Sequence, residues 1–428
     1  MPNLLLCAFM LLGMQEPATP GREAPPVHRY TFGFASSVLP LPDMDGDGVA
    51  ELVVADRSFE YGGEGLWPQL LLYSPGMQQG LGSFSLGGVM RVGWEADSLA
   101  ALSHPTAREQ EIAVLALERI KGVTRYYILV LSVSSMRVTS KIPLPELPES
   151  ARRVSMWSLG AGSGELLVRC GSRAFVVNIA SGKCEVPMRL QSGSPSPIGD
   201  LDNDGVIDCV VTNGGVHRVY SLGTREVLFS FSERRGERLS RSWLRFFPGA
   251  DVDGDGKPEF VMAIQTELGI GEEFQYESKL SLRSGATGRA LFGLGHFRTE
   301  SGRGISVNVL ACPDQDDDGV PDLVVAVCDD NWSCSKWMVT SGVDGKVIAE
   351  HKWTVNGRFN DIGTRWGRAM ANVGDLNEDG IGDFVISRSW PGGRRSNAGA
   401  GVLLLCTSEA GQLVTVTRED VMPEEYSK

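Results

Sequence analysis

Carboxylates recur along this chain at a fixed spacing. Asp43, Asp45, Asp47 and Glu51 stand at positions 1, 3, 5 and 9 of a segment whose sixth residue is Gly48. The same frame holds Asp200, Asp202, Asp204, Gly205 and Asp208, then Asp251, Asp253, Asp255, Gly256 and Glu259. It returns as Asp314, Asp316, Asp318, Gly319 and Asp322. In the last copy, Asp375, Asn377, Asp379, Gly380 and Asp383, the Asn keeps an oxygen but loses a charge. A hard divalent cation with six or seven oxygen ligands at about 2.4 Å wants this arrangement. The glycine permits the bend that folds the acids inward. Position 7, filled by Val49, Val206, Lys257, Val320 and Ile381, would add a backbone carbonyl. The chemistry expected is Ca²⁺ held at up to five structural sites, the Asn377 site being the weakest. Mg²⁺ suits such loops less, because it demands near-ideal octahedral geometry.

A helix–loop–helix calcium site is excluded by position 12. That site needs a bidentate Glu there, whereas these loops have Val54, Val211, Met262, Val325 and Ile386. The acid at position 9 closes the loop instead and leads straight into an apolar strand. Positions 1, 3, 5 and 9 carry nineteen carboxylates over the five loops. Five divalent ions would take the formal charge from −13 to −3. Without them, three or four acids would crowd each bend and repel.

The elements that position these loops are repeats. The first aspartates lie 157, 51, 63 and 61 residues apart. The long first gap has room for two further copies without the acidic loop. Glu111 before Ile112 to Ala116 and Glu165 before Leu166 to Cys170 fill the acid-then-strand place. A second marker gives the same count: small polar turns near Ser74-Pro75-Gly76, Ser132, Ser181-Gly182, Ser221 to Gly223, Ser284 to Gly288, Ser341 to Gly345 and Ser408 to Gly411. Runs such as Leu70 to Tyr73, Leu323 to Val327 and Val402 to Leu405 are too short and β-branched for helices. Units of 40 to 60 residues with about four strands each are the signature of propeller blades. The fold expected is all-β, a seven-bladed β-propeller over residues 27–420 with calcium-binding loops. Its final blade is built within the C-terminal sequence, and Val27 to Thr31 offers one more strand at the seam.

These residues resemble the FG-GAP and VCBS-type repeats, the family that includes the integrin alpha-subunit propeller. The fullest match runs from Trp366-Gly367 through Asp375, Asp383 and Phe384 to Pro391-Gly392, and Phe32-Gly33 before Asp43 matches the aromatic-glycine pair. The resemblance covers residues of about 28–420. It implies a seven-bladed propeller with Ca²⁺ in loops between the first two strands of a blade. The second and third units lack the acidic loop.

Composition narrows the function. The chain has 428 residues, 42% hydrophobic and 22% charged, with 40 basic against 53 acidic side chains. That balance argues against a nucleic-acid binder, which needs clustered Lys and Arg. The longest uncharged apolar run, Leu4 to Met14, is far short of the roughly 20 residues of a transmembrane helix. It has the length of a signal-peptide core, and Gln15 to Pro26 reads as a Pro-rich exit, so residues 1–26 are expected to direct export to the periplasm, the cell surface or the medium. Residues 421–428 read as a tail. Among eight cysteines, Cys328 with Cys334, and Cys170 with Cys184, are spaced to pair; Cys209, Cys312 and Cys406 read as buried thiols.

No catalytic constellation stands out. His28, His104, His217, His296 and His351 are scattered and form no metal pair, and neither a nucleophile elbow nor a phosphate loop occurs. Trp67, Trp94, Trp332, Trp337 and Trp390 fall in or near expected loops, as blade packing or as sugar platforms. The leading function class is a non-catalytic binding or scaffold propeller that meets protein or glycan on one face. The alternatives are a carbohydrate-active enzyme of polysaccharide-lyase type and a structural module of a surface assembly.

Overall fold

The computed structural model describes residues 37–55, 70–84, 90–92, 99–102, 110–120, 123–145, 154–160, 163–170, 173–185, 195–233, 242–268, 275–298, 305–329, 334–354, 365–389, 402–406 and 413–416. The expected signal segment, Val27 to Thr31, Phe32-Gly33 and the C-terminal tail lie outside them.

Every regular element in these residues is a β-strand, and the strands form antiparallel sheets that succeed one another along the chain. Numbered in chain order, sheet 1 spans residues 38–84, sheet 2 90–143, sheet 3 154–185, sheet 4 195–232, sheet 5 242–298, sheet 6 305–354 and sheet 7 365–416. All except sheet 2 are four-stranded meanders in which each strand pairs with its successor. The second strands are near-continuous β-branched and Leu runs such as Leu52–Ala55, buried at every residue. Such a run suits a strand covered on both faces. Fourth strands are solvated, as in Arg137–Pro143, where only Ile142 is buried.

The covering comes from neighbouring sheets. Val53, Leu70 and Leu72 of sheet 1 pack with Ile112, Val114 and Leu129 of sheet 2. Val168 and Val177 of sheet 3 join Leu115 and Ile128 of sheet 2. Phe260 and Met262 of sheet 5 meet Val210 and Val219 of sheet 4. The ring closes where Val49, Leu52 and Leu71 of sheet 1 meet Ala371, Val373 and Val385 of sheet 7. There Ala50 N also donates to Val373 O at 2.9 Å. All four strands of sheet 7 come from the C-terminal sequence, and the described closure is by packing. The architecture is a β-propeller.

The count of like-built units needs correction. Six four-stranded blades are present rather than seven, and the unit between residues 90 and 143 is a five-stranded sheet of different form. Its ten-residue strand Glu111–Ile120 is too long for one short partner. Two strands share that edge instead: Leu99–Leu102 pairs with Glu111 to Val114, and Met90–Val92 with Ala116 to Glu118. The sequence between them, Gly93 to Ser98, carries Gly, Glu, Asp and Ser, residues that strands disfavour.

Two further expectations change. Cys170 and Cys184 are not joined by a disulfide. Cys170 ends its strand opposite Arg173, whereas Cys184 lies on the outer strand opposite Val177, so the pair is separated along the sheet. Cys209 and Cys312 are buried thiols, as expected. The side chains of Cys328, Cys334 and Cys406 lie outside the description. Trp337 sits in a strand, not a loop, stacked on His351 and edge-on to Phe384 at 5.6 Å between ring centres. Trp67, Trp94, Trp332 and Trp390 fall outside the described residues.

One buried charge fastens sheet 5. Glu277 lies beneath Lys279, His296 and Arg298, at 2.7, 3.0 and 2.9 Å. Burial alone would raise its pKa, but these three donors outweigh it and hold the carboxyl at about 2. A depressed carboxylate contributes stability above its unfolded pKa and loses it as pH falls toward the folded value. Glu277→Gln is therefore expected to lower the melting temperature at pH 7, with the gap to wild type shrinking as pH falls from about 4.5 toward 2. Melts across that range check it.

Candidate metal centres

Each acidic segment links the first two strands of a four-stranded blade, in sheets 1, 4, 5, 6 and 7. Its backbone repeats closely. Position 4 has positive φ in every copy: Gly46 at 85°, Asn203 at 58°, Gly254 at 73°, Asp317 at 62° and Glu378 at 58°. Position 6 is a glycine with φ between 85° and 88° in all five. Two left-handed residues within three positions curl the segment so that the acids converge.

Three backbone donors hold that curl. The N–H of position 6 donates to the first aspartate's Oδ2, at 2.8, 2.8, 2.9, 2.6 and 2.7 Å in chain order. The N–H of position 7 (Val49, Val206, Lys257, Val320, Ile381) donates to the position 5 aspartate at 2.8 to 2.9 Å. The N–H of position 2 donates to the position 9 acid: Met44 to Glu51, Leu201 to Asp208, Val252 to Glu259, Gln315 to Asp322 and Leu376 to Asp383, at 2.6 to 2.7 Å. The amide of position 7 is thereby accounted for within the loop.

The position 9 acids are buried in every copy, none more than 1% exposed. In three loops one oxygen of this acid has no hydrogen-bond partner: Glu51 Oε1, Asp208 Oδ1 and Glu259 Oε1. A buried carboxylate oxygen without a donor is costly. Burial, opposed by backbone N–H donors and reinforced by neighbouring aspartates, pushes Glu51, Asp208 and Glu259 up to about 7 and Asp322 up to about 6. Asp322 differs in that its Oδ1 accepts from Gly342 N at 2.9 Å.

Acid oxygens converge to within 4.8 Å of one another in four loops. The sets are Asp43, Asp45, Asp47 and Glu51; Asp251, Asp253, Asp255 and Glu259; Asp200, Asp202 and Asp208; and Asp314, Asp316 and Asp322. Asp204 and Asp318 stand outside their own sets. In the fifth loop Asn377 donates its amide to Asp379 Oδ2 at 2.9 Å, so an amide hydrogen occupies part of what the acids share. Converging carboxylate oxygens around a bare buried one fit a hard cation.

The two units without the acidic loop give the contrast. Glu111 and Glu165 start the same strands but are only half-buried. Glu111 Oε1 accepts from Thr139 at 3.2 Å, and Glu165 Oε1 from Asn178 at 3.3 Å. A neutral donor serves there, and no cation is called for.

The small turns found in the sequence belong to the same site. Each described one joins the last two strands of its sheet, and those of sheets 1, 4, 5 and 6 sit on the acidic loop. Ser74 Oγ donates to Asp45 at 3.0 Å, and Ser221 Oγ to Asp204 at 3.3 Å. A Cβ on Gly76 or Gly223 would stand 1.9 Å from Asp47 Oδ2 or Asp204 Oδ2. On Gly285 or Gly342 it would stand 2.0 Å from the carbonyl oxygen of Pro258 or Pro321. Ordinarily Gly→Ala at a compatible backbone stabilises by about 0.4–1 kcal/mol. Here the clash reverses the sign. Gly285→Ala, whose Cβ would meet a backbone carbonyl, is expected to cost about 1–3 kcal/mol and to weaken any ion held by the Asp251 loop, read from the melt and from bound calcium.

No protein-family model matches the sequence, nor does any curated protein. Among solved structures the chain is similar to hydrazine synthase of Kuenenia stuttgartiensis, at 10% identity over 94% of this chain and 99% of that one, with a TM-score of 0.45. It is similar to a protein from Lactobacillus plantarum at 11% identity, covering 90% and 96%, TM-score 0.45. The Dos1 propeller is a third, at 10% identity, covering 77% and 86%, TM-score 0.39. At such identities no residue role transfers.

Proposed function

We propose that this protein is a calcium-stabilised β-propeller of FG-GAP type that works outside the cytoplasm as a binding or scaffold module for protein or glycan. The observation that carries the metal part is the bare buried oxygen of Glu51, Asp208 and Glu259, each at the back of a converging acid cluster. Asp43, Asp45, Asp47 and Glu51, and their counterparts in the other loops, would hold the ion. The ion would supply charge neutralisation and a cross-link between the first two strands of a blade; the Asp375 loop would hold it most weakly. Loops of this kind bind at about 10⁻⁴ to 10⁻³ M, which suits a calcium-rich exterior. The leader-like Leu4 to Met14 run supports the same compartment. A binding role fits a propeller because its faces expose loops on a rigid ring. Among the described residues, no helix is long and apolar enough to cross a membrane.

Metal analysis of protein equilibrated in 1 mM CaCl₂ should find roughly two to five calcium ions per chain, as sites of about 10⁻⁴ to 10⁻³ M are then half to nine-tenths filled. A content near zero would overturn the metal reading. A glycan array and a pull-down from the native exterior test the binding role, which a sugar product formed without any partner would replace with catalysis.

A further inference from the structure

We propose that the Asp200 and Asp251 loops take up their ions as a coupled pair, with Asn203 as the coupler. The inference rests on the metal reading above and concerns how two of those sites regulate each other. Asn203 is position 4 of its loop, between the acids Asp202 and Asp204. Its Nδ2 crosses the blade boundary and donates to Gly256 O at 2.8 Å. Gly256 is position 6 of the next loop, and its own N–H is held by Asp251 Oδ2 at 2.9 Å. The following amide, Lys257 N, donates to Asp255 Oδ1 at 2.9 Å. One side chain thus joins the residue next to Asp202 of one cluster to a peptide gripped by two acids of the other. Packing reinforces the link: a Cβ on Gly285, beside the second loop, would meet Leu201 of the first at 3.2 Å. Both clusters also carry the bare buried oxygen, Asp208 Oδ1 and Glu259 Oε1.

Without an ion, repulsion among the acids favours opening of either loop. Opening the Asp251 loop moves Gly256 away from Asn203, and opening the Asp200 loop withdraws Asn203 from Gly256. An ion that closes one loop therefore pre-orders the other, and the effect is reciprocal. The equivalent residues Gly46 and Gly254 have no side chain to reach a neighbour.

The test is calcium titration of the full chain by calorimetry. Asn203→Gly keeps the left-handed backbone and removes only the amide, and its melt in calcium verifies folding. It should leave the number of ions unchanged and weaken two sites by the same factor, between two- and tenfold. Glu259→Gln should remove one ion and weaken a second in the wild-type background. With Asn203→Gly present it should remove one ion and alter no other. If Glu259→Gln removes one ion and leaves every other affinity unchanged in the wild type, coupling is refuted while the metal reading stands. If the wild-type chain takes up no calcium, the metal reading itself fails.

Discussion

Stripping the protein of calcium is expected to lower its melting temperature by roughly 3–9 °C. A site with a dissociation constant of about 10⁻⁴ to 10⁻³ M contributes about 0.4 to 1.4 kcal/mol at about 1 mM calcium. Five such sites together contribute about 2–7 kcal/mol, on the scale of a domain's whole net stability. The unfolding entropy of a propeller this long is about 0.8 kcal/mol/K at the per-residue average, which converts that energy into the stated shift. The energy would enter at the strand-to-strand bends of five blades, so the loss would be spread round the ring. Calorimetry in excess chelator against 1 mM CaCl₂ measures it, and identical melts would remove the ion from the structure.

Glu259→Gln should act in opposite directions with and without the ion. In calcium it removes a charged ligand, and the variant melts below wild type. Without calcium at pH 8, wild-type Glu259 is ionised, buried and short of a donor on Oε1. Its pKa, raised by burial to about 7, means that the ion-free protein loses stability as pH rises from about 4.5 through 7. A glutamine amide there can donate to Asp251 or Asp253, and the variant should be more stable by about 1–3 kcal/mol. At pH 5 the wild-type acid is protonated and the advantage should vanish. Melts at pH 5 and 8, with and without chelator, give the four values. A variant that is less stable than wild type in chelator at pH 8 would show that the acid belongs to the hydrogen-bonded core and does not face an ion site.

Much of the architecture was legible because two local constraints repeat. The Asp-x-Asp-x-Asp-Gly frame needs its glycine at φ near +86°, as Gly256 shows, and only glycine takes that value freely. The acid at position 9 precedes an apolar run because it starts a strand buried on both faces; Asp208, Asp322 and Asp383 all begin strands. Glu111 and Glu165 could be aligned on that basis without an acidic loop. The broken edge of sheet 2 could not be seen, since which short segment pairs with Glu111–Ile120 depends on non-local register. The separation of Cys170 from Cys184 is likewise a matter of which strands face each other across the sheet.

Residue type and spacing by themselves determined the chemistry of the loops: oxygen donors at alternate positions, a bend, and a strand to follow. They also determined that a glycine or serine turn would recur in every unit. Only the tertiary structure decided why those turns exist. Gly76, Gly223, Gly285 and Gly342 lie against the acidic loop of their own blade, and the contacts span 19 to 29 residues of chain. It also decided which acid oxygens are left bare and which find Thr139 or Asn178. Burial and partnership are properties of surfaces brought together from distant segments, and a local pattern carries no record of them.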